Sequence, residues 1–348
     1  MSGWNVLEAI YQKMKPVHLA FGSLRPRFVT ICEDCINYPI ADVVALVRQY
    51  RQIFSHTYDT RTQSEIDTLS KMLDAIQPIE HPVPRHYLWA EDNPPTETVY
   101  TDNSEERYNH DPDFRPYFYE ILLPDDVTPK GAVVVCAGGD HGDAAVPEGY
   151  QVALDFHAMG YQCFLLQNRT NHNPWSPREA GVDGARAIRM IRQHADRYHI
   201  APDNIAFAGF SNGGVTGEGL IQYFSGTQTV RETFPNYHPD ALDTIDATPN
   251  AFLCVYGPRF AGEPFDYERV IYPPTFFAVG REDGAMENLN AVYPDLLAHN
   301  IPVEVHTFAG VPHGKAGDKL IAGEVLYPNF ELWEPLADAF LQNIFQKK

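Results

Sequence analysis

Ile205-Ala206-Phe207-Ala208-Gly209-Phe210-Ser211-Asn212-Gly213-Gly214-Val215 is the stretch that decides the fold. The apolar run from Ile205 to Ala208 predicts a short buried strand, and the residues from Val215 onward are compatible with a helix. A strand, G-x-S-x-G and a helix in succession make a nucleophile elbow. There a strained turn lifts the serine hydroxyl above the edge of a sheet. The flanking glycines are a steric requirement, since a side chain in either place would collide with the neighbouring strand or helix. Without that strand and helix, G-x-S-x-G is a pattern that chance supplies often.

Working outward, strands and helices alternate. Residues 117–123 predict a strand, and 132–136 (Ala-Val-Val-Val-Cys) form a continuous apolar run suited to a strand covered on both faces. A helix over about 150–159, a strand at 163–166 and a helix carrying Val182, Ala185, Ile188, Ile191 and Ala195 lead into the elbow. Apolar runs follow at 251–256 and 275–279. Residues 303–308 alternate like an edge strand, and Trp333, Leu336, Ala337, Phe340, Leu341 and Ile344 mark a final amphipathic helix. This alternation predicts an α/β architecture, a mostly parallel central sheet with helices on both faces.

The first eighty residues read differently. Leu7, Ile10, Tyr11 and Met14 share one helix face, as do Val43, Leu46, Val47, Tyr50, Ile53 and Phe54. Ile66, Leu69, Leu73 and Ile76 mark a third helix, with Thr62 and Glu65 spaced as a capping box. The sequence therefore divides into an N-terminal helical extension, residues 1–80, and a catalytic domain, residues 81–348, with a break at His81-Pro82-Val83-Pro84. Three apolar helix faces need a partner. The extension is expected to be a cap, an oligomerisation surface that makes a homo-oligomer, or both. Residues 91–116 are polar and rich in turn formers, a surface loop or irregular early strands.

The 348 residues carry 26 basic and 46 acidic side chains, a formal charge of −20. Nucleic acid and anionic membrane reward clustered Lys and Arg, so neither is expected as a partner. No basic, apolar leader opens the sequence and no run is long enough to span a bilayer, which makes cytoplasmic the expected location. Five scattered cysteines do not read as a disulfide framework. Cys136, Cys163 and Cys254 sit in apolar runs. Cys32 and Cys35 form a single C-x-x-C whose intervening Glu33 and Asp34 would raise thiol pKa values.

A serine nucleophile needs a base, an orienting carboxylate and donors for the developing oxyanion. Asp283 in Gly280-Arg281-Glu282-Asp283-Gly284 and His313 in Val311-Pro312-His313-Gly314 both lie just beyond predicted strands, in the order Ser, acid, His. Glu282 and Glu287 are competing acids; His299 and His306 are less well placed than His313. After the strand at 132–136, Gly138-Gly139-Asp140-His141 offers backbone N–H groups. The expected oxyanion donors are Gly139, Asp140 and Asn212. No metal and no cofactor is called for.

Five ordered segments, 132–142, 185–194, 200–214, 273–283 and 301–314, resemble the α/β-hydrolase carbohydrate esterases. Within these, the chain is most similar to the acetyl xylan esterase and BD-FAE-like group related to dienelactone hydrolases. The resemblance runs from about His86 to Phe345. It departs at Asn212, where that group has a small residue, and at Asp140 and His141, which replace a third glycine and an aromatic residue. It implies an α/β-hydrolase fold and a serine esterase that removes short acyl groups, acetyl foremost, from sugars or oligosaccharides. In that reading His141, Trp175, Tyr256 and Phe260 contact substrate, and segments 225–249 and 257–274 wall its pocket. An amidase, peptidase or lactone hydrolase would use the same parts, and a non-catalytic binding protein could retain the fold.

Overall fold

The computed structural model describes residues 3–54, 62–96, 114–139, 145–169, 177–260 and 265–346. Eight strands form one sheet: β1 (His86–Tyr87), β2 (Tyr117–Ile121), β3 (Ala132–Cys136), β4 (Gln162–Gln167), β5 (Ile205–Phe210), β6 (Ala251–Val255), β7 (Thr275–Gly280) and β8 (Val303–Phe308). Their order is β1-β2-β4-β3-β5-β6-β7-β8. β2 is antiparallel to both β1 and β4, and the other pairings are parallel. β3 to β7 are buried along their whole length, as continuous apolar runs require in a sheet covered on both faces. β8 is half-buried, as its alternating pattern predicts for an edge.

Nine α-helices of five or more residues accompany the strands among the described residues: α1 (Gly3–Glu33), α2 (Ile40–Phe54), α3 (Gln63–Ala75), α4 (Val152–Ala158), α5 (Pro177–Gln193), α6 (Asn212–Phe224), α7 (Ala285–Ala298), α8 (Asp318–Ala322) and α9 (Trp333–Phe345). Side chains alternate across a strand, so Phe207 and Phe210 of β5 point to opposite faces. Phe207 packs where Gly184 of α5 and Gly217 of α6 let the helices approach. Phe210 meets Trp333 of α9 with ring centroids 5.6 Å apart. Helices therefore cover both faces. Each fully buried Phe of this core contributes about 1.5–3 kcal/mol.

The N-terminal helices form a second core. Val43, Leu46, Val47, Tyr50, Ile53, Ile66, Leu69, Leu73 and Ile76 are all buried in it. The expected capping box is present: Thr62 Oγ1 accepts from Glu65 N, and the Glu65 carboxylate accepts from Thr62 N. α1 is longer than the Leu7–Met14 periodicity indicates and runs through Pro16 and Pro26. Its packed face comes late, at Phe21, Phe28, Val29, Ile31 and Cys32. The side chains of Leu7, Ile10, Tyr11 and Phe54 lie outside the described residues.

Val146 and Ile321, from the other side of the chain, belong to the same cluster, so these apolar faces are covered within one chain. Polar ties reinforce the join. Asp34 accepts hydrogen bonds from Tyr117 and Tyr119 of β2 at 2.7 and 2.6 Å and pairs with Arg85. Asp34, between Cys32 and Cys35, thus ties the extension to the sheet, and both cysteines are buried thiols outside any disulfide. Burial first, and Asp34 second, push the Cys35 thiol up to about 12.

Candidate active site

Parallel register brings the carboxyl ends of three strands level. Cys136 of β3 lies opposite Gly209 of β5, which lies opposite Cys254 of β6. The loops that follow, at 137–139, 211 and 256–257, therefore meet at one edge. Ser211 joins β5 to α6 with φ 50° and ψ −119°. A non-glycine residue held there stores about 1–3 kcal/mol of backbone strain. The crossing is tight: a Cβ on Gly209 would lie 2.3 Å from the Gly213 carbonyl oxygen, and one on Gly213 would lie 2.0 Å from that of Cys136. Those two glycines are obligatory.

His313 Nε2 lies 2.8 Å from Ser211 Oγ, and His313 Nδ1 lies 2.8 Å from Asp283 Oδ2. The other Asp283 oxygen accepts from the backbone N–H of Ala285 at 2.8 Å. Nδ1–H donating to the carboxylate leaves Nε2 as the acceptor for the serine proton. Asp283 is buried at the end of β7, whereas Glu282 and Glu287 are exposed. His299 stacks on Tyr267, and His306 bonds Glu304. Among the described residues, Asp283 and His313 are the acid and base that the geometry brings to Ser211. The hydrogen bond to Asp283 raises the His313 pKa above the ordinary value, against the lowering effect of burial.

Gly139 is exposed with φ 85°, and Asn212 sits at the first position of α6, on the positive end of its dipole. Asp140, His141 and Trp175 lie outside the described residues. Phe260 is 44% exposed.

Two expectations need correction. Tyr256 cannot stack on a sugar, because it is buried with its hydroxyl turned inward. That hydroxyl bonds Glu148 at 2.8 Å and accepts from Ala316 N at 3.1 Å, while the ring meets the His313 ring edge-on at 4.9 Å. A left-handed backbone at Tyr256, φ 41°, turns it away from the surface just after β6. Segment 225–249 does not wall the site either. It begins at the far end of α6 and finishes where Asn250 binds the start of β5, at the opposite edge of the sheet. Segment 257–274 does leave from the right edge, with Gly257 against Ser211.

Sequence reasoning missed Glu148. It lies on a π-helical turn, Ala145–Gln151, fully enclosed, and its Oε2 accepts from Gly138 N at 2.8 Å. Burial raises its pKa, opposed first by the Tyr256 and then by the Gly138 hydrogen bond. A glutamate twelve residues past a strand carries no motif of its own. Its only sequence signal was nearness to the glycine loop.

No protein-family model matches the chain. Over 137 residues, 38% of its length, the chain is 28% identical to endo-1,4-beta-xylanase B of Butyrivibrio fibrisolvens, and that stretch is 21% of the xylanase. Three solved structures are similar over most of both chains. An acetyl ester-xyloside bifunctional hydrolase of Caldicellulosiruptor lactoaceticus is 21% identical with a TM-score of 0.55, covering 75% of this chain and 96% of its own. An alpha/beta hydrolase enzyme from a Medee basin deep-sea metagenome library is 20% identical with a TM-score of 0.52, covering 66% and 93%. The fold is that of the α/β-hydrolases. A thermophilic esterase of the planctomycete Thermogutta terrifontis shares this α/β-hydrolase fold at 19% identity and a TM-score of 0.51, over 75% of this chain and 94% of its own. Among the described residues, no helix is long and apolar enough to cross a membrane.

Proposed function

We propose that this chain is a serine esterase that removes a short acyl group, acetyl foremost, from a sugar or oligosaccharide ester. One observation carries the reading: the continuous hydrogen-bonded line from Ser211 through His313 to Asp283. The similar solved structures described as ester hydrolases support it at the level of the fold.

Ser211 Oγ attacks the ester carbonyl carbon while His313 Nε2 takes the hydroxyl proton. The tetrahedral intermediate collapses, its bond to the alcohol oxygen breaks, and the imidazolium gives its proton to that oxygen. Water, deprotonated by the same nitrogen, then attacks the acyl-enzyme and releases the acid, restoring the serine hydroxyl. Asp283 accepts from His313 Nδ1–H and fixes the imidazole tautomer throughout. The Gly138 N–H is committed to Glu148. The oxyanion is therefore assigned to the N–H groups of Asn212, Gly139 and Asp140. His141, Trp175 and Phe260 are the proposed sugar contacts. A cytoplasmic location belongs to the same proposal; all five cysteines are buried and none is in a disulfide.

The test is hydrolysis of acetylated xylo-oligosaccharides and of p-nitrophenyl esters of increasing acyl length, with Ser211→Ala as control. Acetyl and propionyl esters should turn over fastest. A preference for long acyl chains, or for matched amides, would contradict the proposal.

A further inference from the structure

Glu148 sits between the two loops that the proposed chemistry must hold in register. Its Oε2 accepts from Gly138 N, next to the expected oxyanion donors, at 2.8 Å. Its Oε1 accepts from the Tyr256 hydroxyl at 2.8 Å, and that hydroxyl accepts in turn from Ala316 N, three residues beyond His313, at 3.1 Å. The Tyr256 ring also lies against the imidazole. Gly138, Glu148, Tyr256 and Ala316 thus make one buried hydrogen-bonded strut beneath Ser211.

The strut is anchored from behind. Glu148 rides on the turn that carries Val146, and Val146 is buried in the core of the N-terminal helices. Gly317, next along the His313 loop, closes on the same turn, where an added Cβ would lie 1.9 Å from the Pro147 carbonyl oxygen. A carboxylate has one acceptor for each of the two donors aimed at it. Alanine would leave both donors buried and the two loops untied.

We infer that Glu148 is a positioning residue that sets the distance between the oxyanion loop and His313. This rests on the serine-hydrolase reading above. It touches neither substrate nor the reacting atoms, and works through Gly138 and Tyr256. Catalytic groups displaced by an ångström lose much of their effect on the rate, while substrate binding is little changed.

The experiment measures two things for wild type, Glu148→Ala, Glu148→Gln and Tyr256→Phe. One is the rate at which a fluorophosphonate labels Ser211, and the other is kcat and KM on p-nitrophenyl acetate. Glu148→Ala should lower the labelling rate and kcat by about 30-fold, with KM changed by less than about 3-fold. Glutamine keeps an acceptor for Gly138 N and a polar group for Tyr256, so Glu148→Gln should stay within about 5-fold of wild type. If Glu148→Ala does not fold, Tyr256→Phe, which removes the hydroxyl joining Glu148 to Ala316 but keeps the Glu148–Gly138 bond, should still lower kcat by about 10-fold. Wild-type labelling at Ser211 without acetate turnover would sink the acetyl esterase reading and leave this inference standing on the labelling rates. Variants that label at the wild-type rate, or a Glu148→Gln as impaired as Glu148→Ala, would overturn it.

Discussion

Arg51 on the second N-terminal helix pairs with Asp318, five residues after His313, at 2.7 Å. Beside it, Arg48 donates to the backbone carbonyls of Leu320 and Ile321. The extension therefore grips the segment that follows the catalytic histidine. Arg51 is partly exposed, so its replacement by alanine should cost about 1 kcal/mol in chemical denaturation. Deleting residues 1–80 goes much further. It would expose Val146 and Ile321 and remove the Asp34 acceptor of Tyr117 and Tyr119, so soluble, folded protein is not expected. Recovery of a folded, active fragment by size-exclusion chromatography would show that the helices are dispensable.

Activity should rise with pH as His313 loses its proton, with a midpoint above about 6.5, the ordinary histidine value, because Asp283 favours the charged ring. In Asp283→Asn that support is gone while burial remains, so the midpoint should fall, and kcat should drop by about 10³-fold or more. The raised pKa also stabilises the fold. Its contribution is complete below the unfolded value of about 6.5 and is lost as pH climbs through the folded value. The pH profiles of kcat/KM for the two proteins check the first point; denaturation at several pH values checks the second.

Gly213→Ala should not be tolerated. Its methyl group would sit 2.0 Å from the Cys136 carbonyl oxygen, and the nearest atoms, all backbone of Cys136 and Ala137, leave nothing flexible to yield. A loss of at least about 3 kcal/mol, or insoluble expression, is expected. A melting temperature close to wild type would show that the elbow is looser than this crossing implies.

Arg169 and Asp183 form a bidentate pair with both side chains enclosed, and Trp89 Nε1 donates to the same carboxylate at 2.8 Å. Asp183→Ala strips a buried guanidinium of its counter-charge and should cost about 3–5 kcal/mol. The midpoint of urea unfolding measures it. A change below about 1 kcal/mol would mean that water reaches the pair.

The parts legible in the sequence were those with a strict local rule. Ser211 between its glycines, the apolar strand 132–136, the alternating strand 303–308 and the Thr62–Glu65 cap each follow from spacing alone. Asp283 and His313 could be placed because strand ends put them at one edge, and the structure brings both to Ser211. What stayed hidden depends on tertiary register. Tyr256 follows a strand as a surface aromatic would, but a left-handed φ turns it inward. Glu148 lies on a π-helical turn with no period to read. Segment 225–249 follows the elbow in sequence, but α6 is long enough to carry the chain to the far edge of the sheet before it begins.

The central claim is that Ser211 carries the acyl group between the two half-reactions. Acid quenching of the protein during turnover of p-nitrophenyl acetate, followed by peptide mass spectrometry, tests it most directly. The account predicts one acetyl group on the peptide containing Ser211, and none in Ser211→Ala, which should also be inactive. An acetyl group on another residue, or continued hydrolysis by Ser211→Ala, would contradict it.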